Sequence, residues 1–177
     1  WANGYHGTSV MDILTGAGLP KGSFYFYFSG KKELAMATAA YYEDKILSWI
    51  KKLARNAEMD AFIVEMTNGL LDSAKKGRIY GCPFVFIASE MAFADPDVTE
   101  LFAASLEKFI DVFEAVLLYS GISASAANAL ARRFFAIYEG HLLLYRIAGG
   151  PKEIERMREN MLELYQTSKE MKSDAVI

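Results

Sequence analysis

The chain has 177 residues, of which 53% are hydrophobic and 14% aromatic, so it is long enough to bury a sizeable core in one large or two small domains. Its formal net charge of -3 excludes a chain that is basic throughout and binds nucleic acid by charge alone. The single cysteine, Cys82, excludes an internal disulfide and a cysteine-rich zinc site, and the hydrophobic excess indicates an oligomer interface, an apolar cavity, or both.

Two short helices joined by a glycine-containing turn are predicted near the start of the chain. Either Thr8 or Ser9 can cap the first helix, and Gly18 ends it. Its apolar residues recur at the i, i+3, i+4 and i+7 spacing of one helical face: Val10, Ile13, Leu14 and Ala17. Such a pair of helices is typical of the helix-turn-helix motif, in which the second helix enters the major groove of DNA.

The aromatic run from Phe24 to Phe28 in the second element has a high β-propensity and by itself would suit a short strand. The flanking residues favour a helix, because a Pro-Lys-Gly-Ser start precedes the run and a Ser-Gly stop follows it. We expect Phe24 and Phe28, four residues apart, to pack inward. The side chains expected to project toward the groove are Lys21, Ser23, Tyr25 and Tyr27.

The order of residues in this part of the chain resembles the DNA-binding domain of the TetR (tetracycline-repressor-like) family of transcriptional regulators. The matching residues are Gly4, Tyr5, Thr8, Ser9, Val10, Asp12, Ile13, Ala17, Gly18, Leu19, Lys21, Gly22, Ser23, Phe24, Tyr25, Phe28 and Lys31, followed by Glu33 and Leu34. Pro20 stands where the family usually has a capping residue, and we expect it in the first helical turn, where its missing N–H is tolerated. The resemblance also implies that the family's first helix lies almost wholly before Trp1.

The resemblance implies an all-α fold with two functional parts. An N-terminal helix-turn-helix DNA-binding domain, residues 1–34, is followed by a helical ligand-binding and dimerisation domain, residues 35–177. The candidate DNA-binding residues are Thr8, Ser9, Lys21, Gly22, Ser23, Tyr25, Tyr27 and Lys31. Of these, Tyr25 and Lys31 are expected on phosphates and Lys21 to Ser23 near base edges.

Almost all of the chain beyond Lys31 is predicted to be helical. A long helix over 31–57 has no internal Gly or Pro, and a later helix is expected to have Asp95 as its cap and Pro96 as its first residue. The other predicted helices cover 59–76, part of the segment from Gly81 to Met91, 96–121, 123–148 and 151–171. The last two resemble the family's dimer-forming pair, which implies a homodimer joined through a four-helix bundle. The apolar stripe on the last helix is Ile154, Met157, Met161, Leu164 and Met171. On these two helices, Leu143 and Met161 are expected to face outward at the dimer interface.

A regulator of this family needs a cavity among its middle helices, although the aromatic and methionine side chains there are also suited to an ordinary core. The candidate pocket residues are Phe62, Met66, Phe84, Met91, Phe102, Phe109, Phe113 and His141. His141 also has an alternative reading as a hydrogen-bonded interior histidine, and Cys82 is expected to be a small buried hydrophobe.

Three classes of function compete at this point. The leading one is a ligand-responsive transcriptional regulator, most simply a repressor that a small apolar effector releases from a palindromic operator. The second is a helical protein that binds hydrophobic ligands and has no DNA-binding role. An enzyme is not supported, because the sequence has no Cys/His pairing, carboxylate pair or glycine-rich phosphate loop. We expect no cofactor and no metal, no membrane span because the apolar runs are too short, and a cytoplasmic location.

Overall fold

The computed structural model describes the backbone of residues 1–91 and 96–174 and the side chains of residues 1–91 and 98–170. All regular structure within these ranges is helical, which confirms the all-α fold. The helices are α1 (Val10–Ala17), α2 (Lys21–Tyr27), α3 (Lys31–Ala54), α4 (Met59–Lys75), α5 (Pro83–Met91), α6 (Pro96–Tyr119), α7 (Ala124–Ala148) and α8 (Lys152–Asp174). The expected cap of α6, Asp95, lies outside the described residues. No described helix is long and apolar enough to cross a bilayer.

The chain divides into two compact units. The first combines Trp1–Ile46 with Pro83–Ala104, and the second combines Leu47–Cys82 with Ser105–Ile177. Residue 34 lies within α3, so the division into 1–34 and 35–177 stays a prediction about function.

In the first unit, α1 begins and ends with local hydrogen bonds that the sequence encodes. The Ser9 hydroxyl accepts a bond from the backbone N–H of Asp12 at 3.1 Å, and the Asp12 carboxylate accepts one from the backbone N–H of Ser9 at 2.8 Å. The Ser9 hydroxyl also donates to the Asp12 carboxylate at 2.6 Å, and this bond, together with the one from the Ser9 backbone N–H, lowers the pKa of Asp12. Gly18 has a φ of 65°, the left-handed conformation that suits a helix C-terminus. Of the two possible caps, Ser9 is confirmed.

The second helix of the motif is α2, and its start differs slightly from the expectation. Pro20 occupies the N-cap position with ψ of 150°, so it precedes the first helical turn and does not belong to it. The Ser23 hydroxyl donates to the carbonyl of Pro20 at 2.5 Å. Phe24 is only 4% exposed and its ring lies 5.8 Å from that of Phe28, so the inward face of α2 is confirmed.

In the second unit, α8 packs against both α4 and α7. Its Ile154, Met157 and Met161 side chains are fully buried within the chain, and Tyr165 is the next buried position. Leu164, which is also on this stripe, is half-buried, while its neighbour Tyr165 is 1% exposed. Met171 lies outside the described side chains. The apolar face of α8 is therefore covered largely by helices of its own chain.

Candidate nucleic-acid interface

The exposed face of α2 carries three consecutive aromatic side chains. Tyr25 is 64% exposed, Phe26 82% and Tyr27 68%. Lys21 and Gly22 are also exposed, whereas Ser23 is half-buried by its bond to the preceding turn. The structure thus brings the α2 candidates together on one short helix. Phe26 is not among the sequence-predicted contact residues, although a count of helical positions from buried Phe24 places it on the outer face.

Lys31, at the start of α3, is oriented by an aromatic ring. Its Nζ lies 4.4 Å from the centroid of the Tyr5 ring, a cation–π distance. In the same turn, the Glu33 carboxylate accepts bonds from the Ser29 backbone and hydroxyl, each at 2.7 Å, and these bonds lower its pKa. The Lys31 ammonium is therefore held at the junction between α2 and α3.

The two remaining candidates, Thr8 and Ser9, already have partners within the chain. The Thr8 hydroxyl donates to the Gly4 carbonyl at 2.7 Å, and Ser9 takes part in the α1 cap with Asp12. Both therefore support the start of α1. Their contact with DNA stays a prediction.

The hydrogen bond between His6 and Glu90 in this region could not be predicted from the sequence. The backbone N–H of His6 donates to the Glu90 carboxylate at 2.7 Å, so α5 is bonded to the segment before α1 within the first unit. The two residues are 84 positions apart, and only the tertiary fold brings them together.

The candidate pocket residues fall into two clusters, one in each compact unit. In the first unit, Phe84 and Phe102 have ring centroids 5.0 Å apart, and Met91 is buried. In the second, the buried residues are Phe62, Met66, Phe109 and Phe113. The Phe62 and Phe113 rings meet edge to face at 5.6 Å. Their role in binding a ligand stays a prediction.

The last candidate pocket residue, His141, belongs to a polar group between α7 and α8. Its Nδ1 lies 3.4 Å from the buried Glu153 carboxylate, and its Nε2 lies 3.0 Å from the Asn160 amide. Arg156 forms an ion pair with Glu153. The half-buried histidine thus has one buried and one exposed hydrogen-bond partner on α8, and its role in binding a ligand stays a prediction.

A second carboxyl group in this unit belongs to Glu139 on α7, which stands in an apolar segment of the sequence. Burial raises its pKa to about 7, and a hydrogen bond with Cys82 opposes part of that rise. Cys82 itself is buried, as expected. The neighbouring rings of Phe135 and Tyr138 are stacked with centroids 6.3 Å apart. Glu139 is half-buried and therefore places one ionisable group beside these aromatic side chains.

Two family models match the chain. One, described as bacterial regulatory proteins of the tetR family, matches residues 1–38, and the other, described as the C-terminal domain of LmrA/YxaF-like transcriptional regulators, matches residues 56–160. The chain therefore belongs to the TetR family of bacterial transcriptional regulators. Within that family, its C-terminal part is of the LmrA/YxaF-like type.

Similar proteins agree with this assignment. The regulator LmrA of Bacillus subtilis is 29% identical over 147 residues, which cover 80% of this chain and 77% of that protein. An HTH-type regulator from the lacX 3' region of Lactococcus lactis is 29% identical over 157 residues, covering 83% and 77%.

Solved structures show the same fold. A TetR-family regulator from Agrobacterium tumefaciens has a TM-score of 0.79 at 21% identity and covers 90% of this chain and 87% of its own. A regulatory protein TetR from Rhodobacter sphaeroides has a TM-score of 0.79 at 23% identity, with coverage of 89% and 87%.

Family membership decides between the classes of function. The protein is a DNA-binding transcriptional regulator and not an enzyme. Regulators of this family bind DNA and small-molecule effectors and act as dimers. Of the three classes considered, the leading one is confirmed.

Proposed function

We propose that the protein is a repressor that binds a palindromic operator as a homodimer and leaves it when a small apolar effector binds. The observation that carries the proposal is the row of exposed side chains on α2, which follows directly after the capped helix α1. One helix of this length offers few base contacts, so useful specificity requires two copies. The half-sites are then spaced by about one helical turn of DNA or a multiple of it.

Two kinds of DNA contact are proposed for the candidate residues. Lys31 and Tyr25 contact phosphates and set the position of the protein. The cation–π contact with Tyr5 supports this role for Lys31 because it fixes the direction of a long side chain, and Tyr25 is held edge to face against Phe24 at 5.3 Å. Lys21, Gly22 and Ser23 lie near base edges in this arrangement.

The dimer is proposed to form through α7 and α8. Near the end of α7, Leu143, Leu144 and Ile147 are 54%, 48% and 73% exposed, an unusual concentration of apolar surface. The apolar face of α8 is already buried against other helices of the same chain. The exposed face of α7 therefore supplies the apolar part of the proposed dimer interface. A second copy covers this face symmetrically.

The effector is proposed to bind among the aromatic side chains of the middle helices. The proposal is supported by the apolar character of the buried side chains there, which include Phe62, Phe109 and Phe113, since ligand pockets are lined mainly by apolar groups with few polar ones. Helix α3 runs without a break from Lys31 to Ala54 and has residues in both compact units, so it is suited to transmit a displacement to the DNA-binding head.

A pair of titrations tests the proposal. A compound that co-purifies with the protein, detected by native mass spectrometry, is titrated with and without DNA from upstream of the protein's own gene. If the ligand lowers DNA affinity about a hundredfold, DNA must weaken ligand binding by the same factor, a coupling of about 2.7 kcal/mol. Equal ligand affinity in both titrations would refute release by the effector, and absence of any DNA shift would refute the operator.

A further inference from the structure

We infer that Phe26 is a specificity-determining residue of α2 that selects base pairs presenting the C5-methyl group of thymine in the major groove. The inference rests on the proposed operator binding and adds the chemical group that one side chain recognises. No hydrogen bond is involved in this recognition, because a phenyl ring has neither donor nor acceptor.

The Phe26 ring contributes little to the packing of the fold, because most of it is exposed to solvent. Its exposed fraction of 82% is the highest among the exposed large hydrophobic side chains of the described residues. Among the side chains that the structure describes, its one ring neighbour is Tyr27, whose centroid lies 5.0 Å away and which is itself 68% exposed. A phenyl ring left in water costs free energy that a partner surface recovers on binding.

The helical geometry places this ring on the outermost ridge of α2. Successive residues are about 100° apart around a helix, so counting from buried Phe24 puts Phe26 at about 200° and Gly22 at about 160°. These two positions therefore lie opposite the buried face. A Cβ atom built on Gly22 meets nothing within 4 Å, so the ridge beside the ring is open.

The side chains on this ridge have no polar group that could face a base pair. Gly22 has no side chain, and the polar side chains of Lys21, Ser23 and Tyr27 lie to either side of the ridge. In the major groove, the thymine methyl is the one apolar group that a base pair exposes. The open space over Gly22 allows a close approach, and the Phe26 ring then packs on that methyl group.

The test removes the methyl group alone. Duplexes are first selected from a random pool by the full-length wild-type protein, and dT is then replaced by dU at each T·A pair of the selected half-site. This replacement leaves the hydrogen-bonding groups of the pair unchanged. We expect one position per half-site at which affinity falls about fourfold, the effect of burying roughly one methyl group, and about fifteenfold when both half-sites are changed.

Two variants assign that effect to the ring. Phe26→Ala should bind the dT and dU duplexes with equal affinity, whereas Tyr41→Ala should keep the wild-type ratio. Tyr41 is the matched control, because it is an aromatic side chain 58% exposed on α3 and outside the DNA-binding helix.

The possible failures are distinct. Equal wild-type affinity for dT and dU duplexes, a selected half-site without a T·A pair, or a Phe26→Ala protein that keeps the fourfold ratio would each overturn the inference while sequence-specific binding stands. A wild-type protein that enriches no sequence from the pool would overturn the proposed operator binding, and the inference with it.

Discussion

The carboxylate of Glu90 on α5 accepts a hydrogen bond of 2.7 Å from the backbone N–H of His6, in the segment that leads into α1. The same carboxylate lies so close to Gly4 that a Cβ atom there would be 2.1 Å from its Oε1. Gly4 also has a φ of 81°, which other residues rarely adopt. Helix α5 therefore fixes the path of the backbone immediately before the helix-turn-helix motif.

Removing this carboxylate should loosen that segment. We expect Glu90→Ala to lower the free energy of unfolding by about 1 kcal/mol, since a charge-assisted bond to a partly exposed group is lost. The direct measurement is amide hydrogen exchange at His6, which should become faster. Ser89→Ala is the control on the same helix, because the Ser89 hydroxyl donates only to the nearby Phe86 carbonyl. Unchanged exchange at His6 in Glu90→Ala would show that the bond does not hold this segment.

The contrast between local and distant contacts explains what the sequence could predict. The limits of α1 follow from Ser9, Asp12 and Gly18, which are neighbours in the chain, so the pattern of residues is sufficient there. The bond between Glu90 and His6 joins residues 84 positions apart, and no periodicity encodes such a pair.

Apolar stripes predict less than caps do. They indicate that a helix face is buried, but not whether it packs against its own chain or against a second copy. Met161 lies on such a stripe and was expected to face outward in a dimer. That expectation is wrong, since Met161 is fully buried within its own chain. On α3, the aromatic side chain of Tyr41 is 58% exposed, and Ala35 and Ala39 are the buried positions of that part of the helix.

Phosphate contact by Lys31 predicts a loss of affinity that is independent of sequence. Lys31→Ala should weaken binding to all duplexes similarly and reduce the slope of log affinity against log salt concentration by roughly one, because one phosphate contact is lost. Lys45→Ala is a closely matched control, since Lys45 lies on the same helix and its Nζ is 5.3 Å from the Tyr41 ring. An unchanged salt slope in Lys31→Ala would place this residue away from phosphate.

Base contact by Lys21 predicts a different pattern. Lys21→Ala should relax the preference at particular base pairs, with a loss of about 1 to 3 kcal/mol of discrimination at those positions. The measurement is binding to a set of single-base operator variants, with wild type and Lys31→Ala compared side by side. A uniform loss across the set would assign Lys21 to the phosphate backbone.

The proposed dimer contact predicts that a charge on the exposed face of α7 separates the subunits. Leu143→Glu should bury an unpaired carboxylate between the two copies at a cost of several kcal/mol, so sedimentation at micromolar concentration should show monomers. Leu118→Glu is the control, because Leu118 is 43% exposed on α6. Met161→Glu is unsuitable for this test, since it would disrupt the chain's own core. Dimers that persist in Leu143→Glu would move the interface to another face.

The half-buried carboxyl group of Glu139 predicts a pH dependence of stability. Its pKa is about 7 in the folded chain, above the ordinary value of a glutamate, because burial disfavours the charged form. Between the unfolded pKa and pH 7 the folded state holds more protons than the unfolded state, so the free energy of unfolding should fall as pH rises. The full loss should be about 3 kcal/mol and should be complete by about pH 8. Urea unfolding from pH 4.5 to pH 8 measures it, and Glu139→Gln should lack this component while keeping the others. Parallel pH profiles of wild type and Glu139→Gln would show that Glu139 titrates as an ordinary, solvated glutamate.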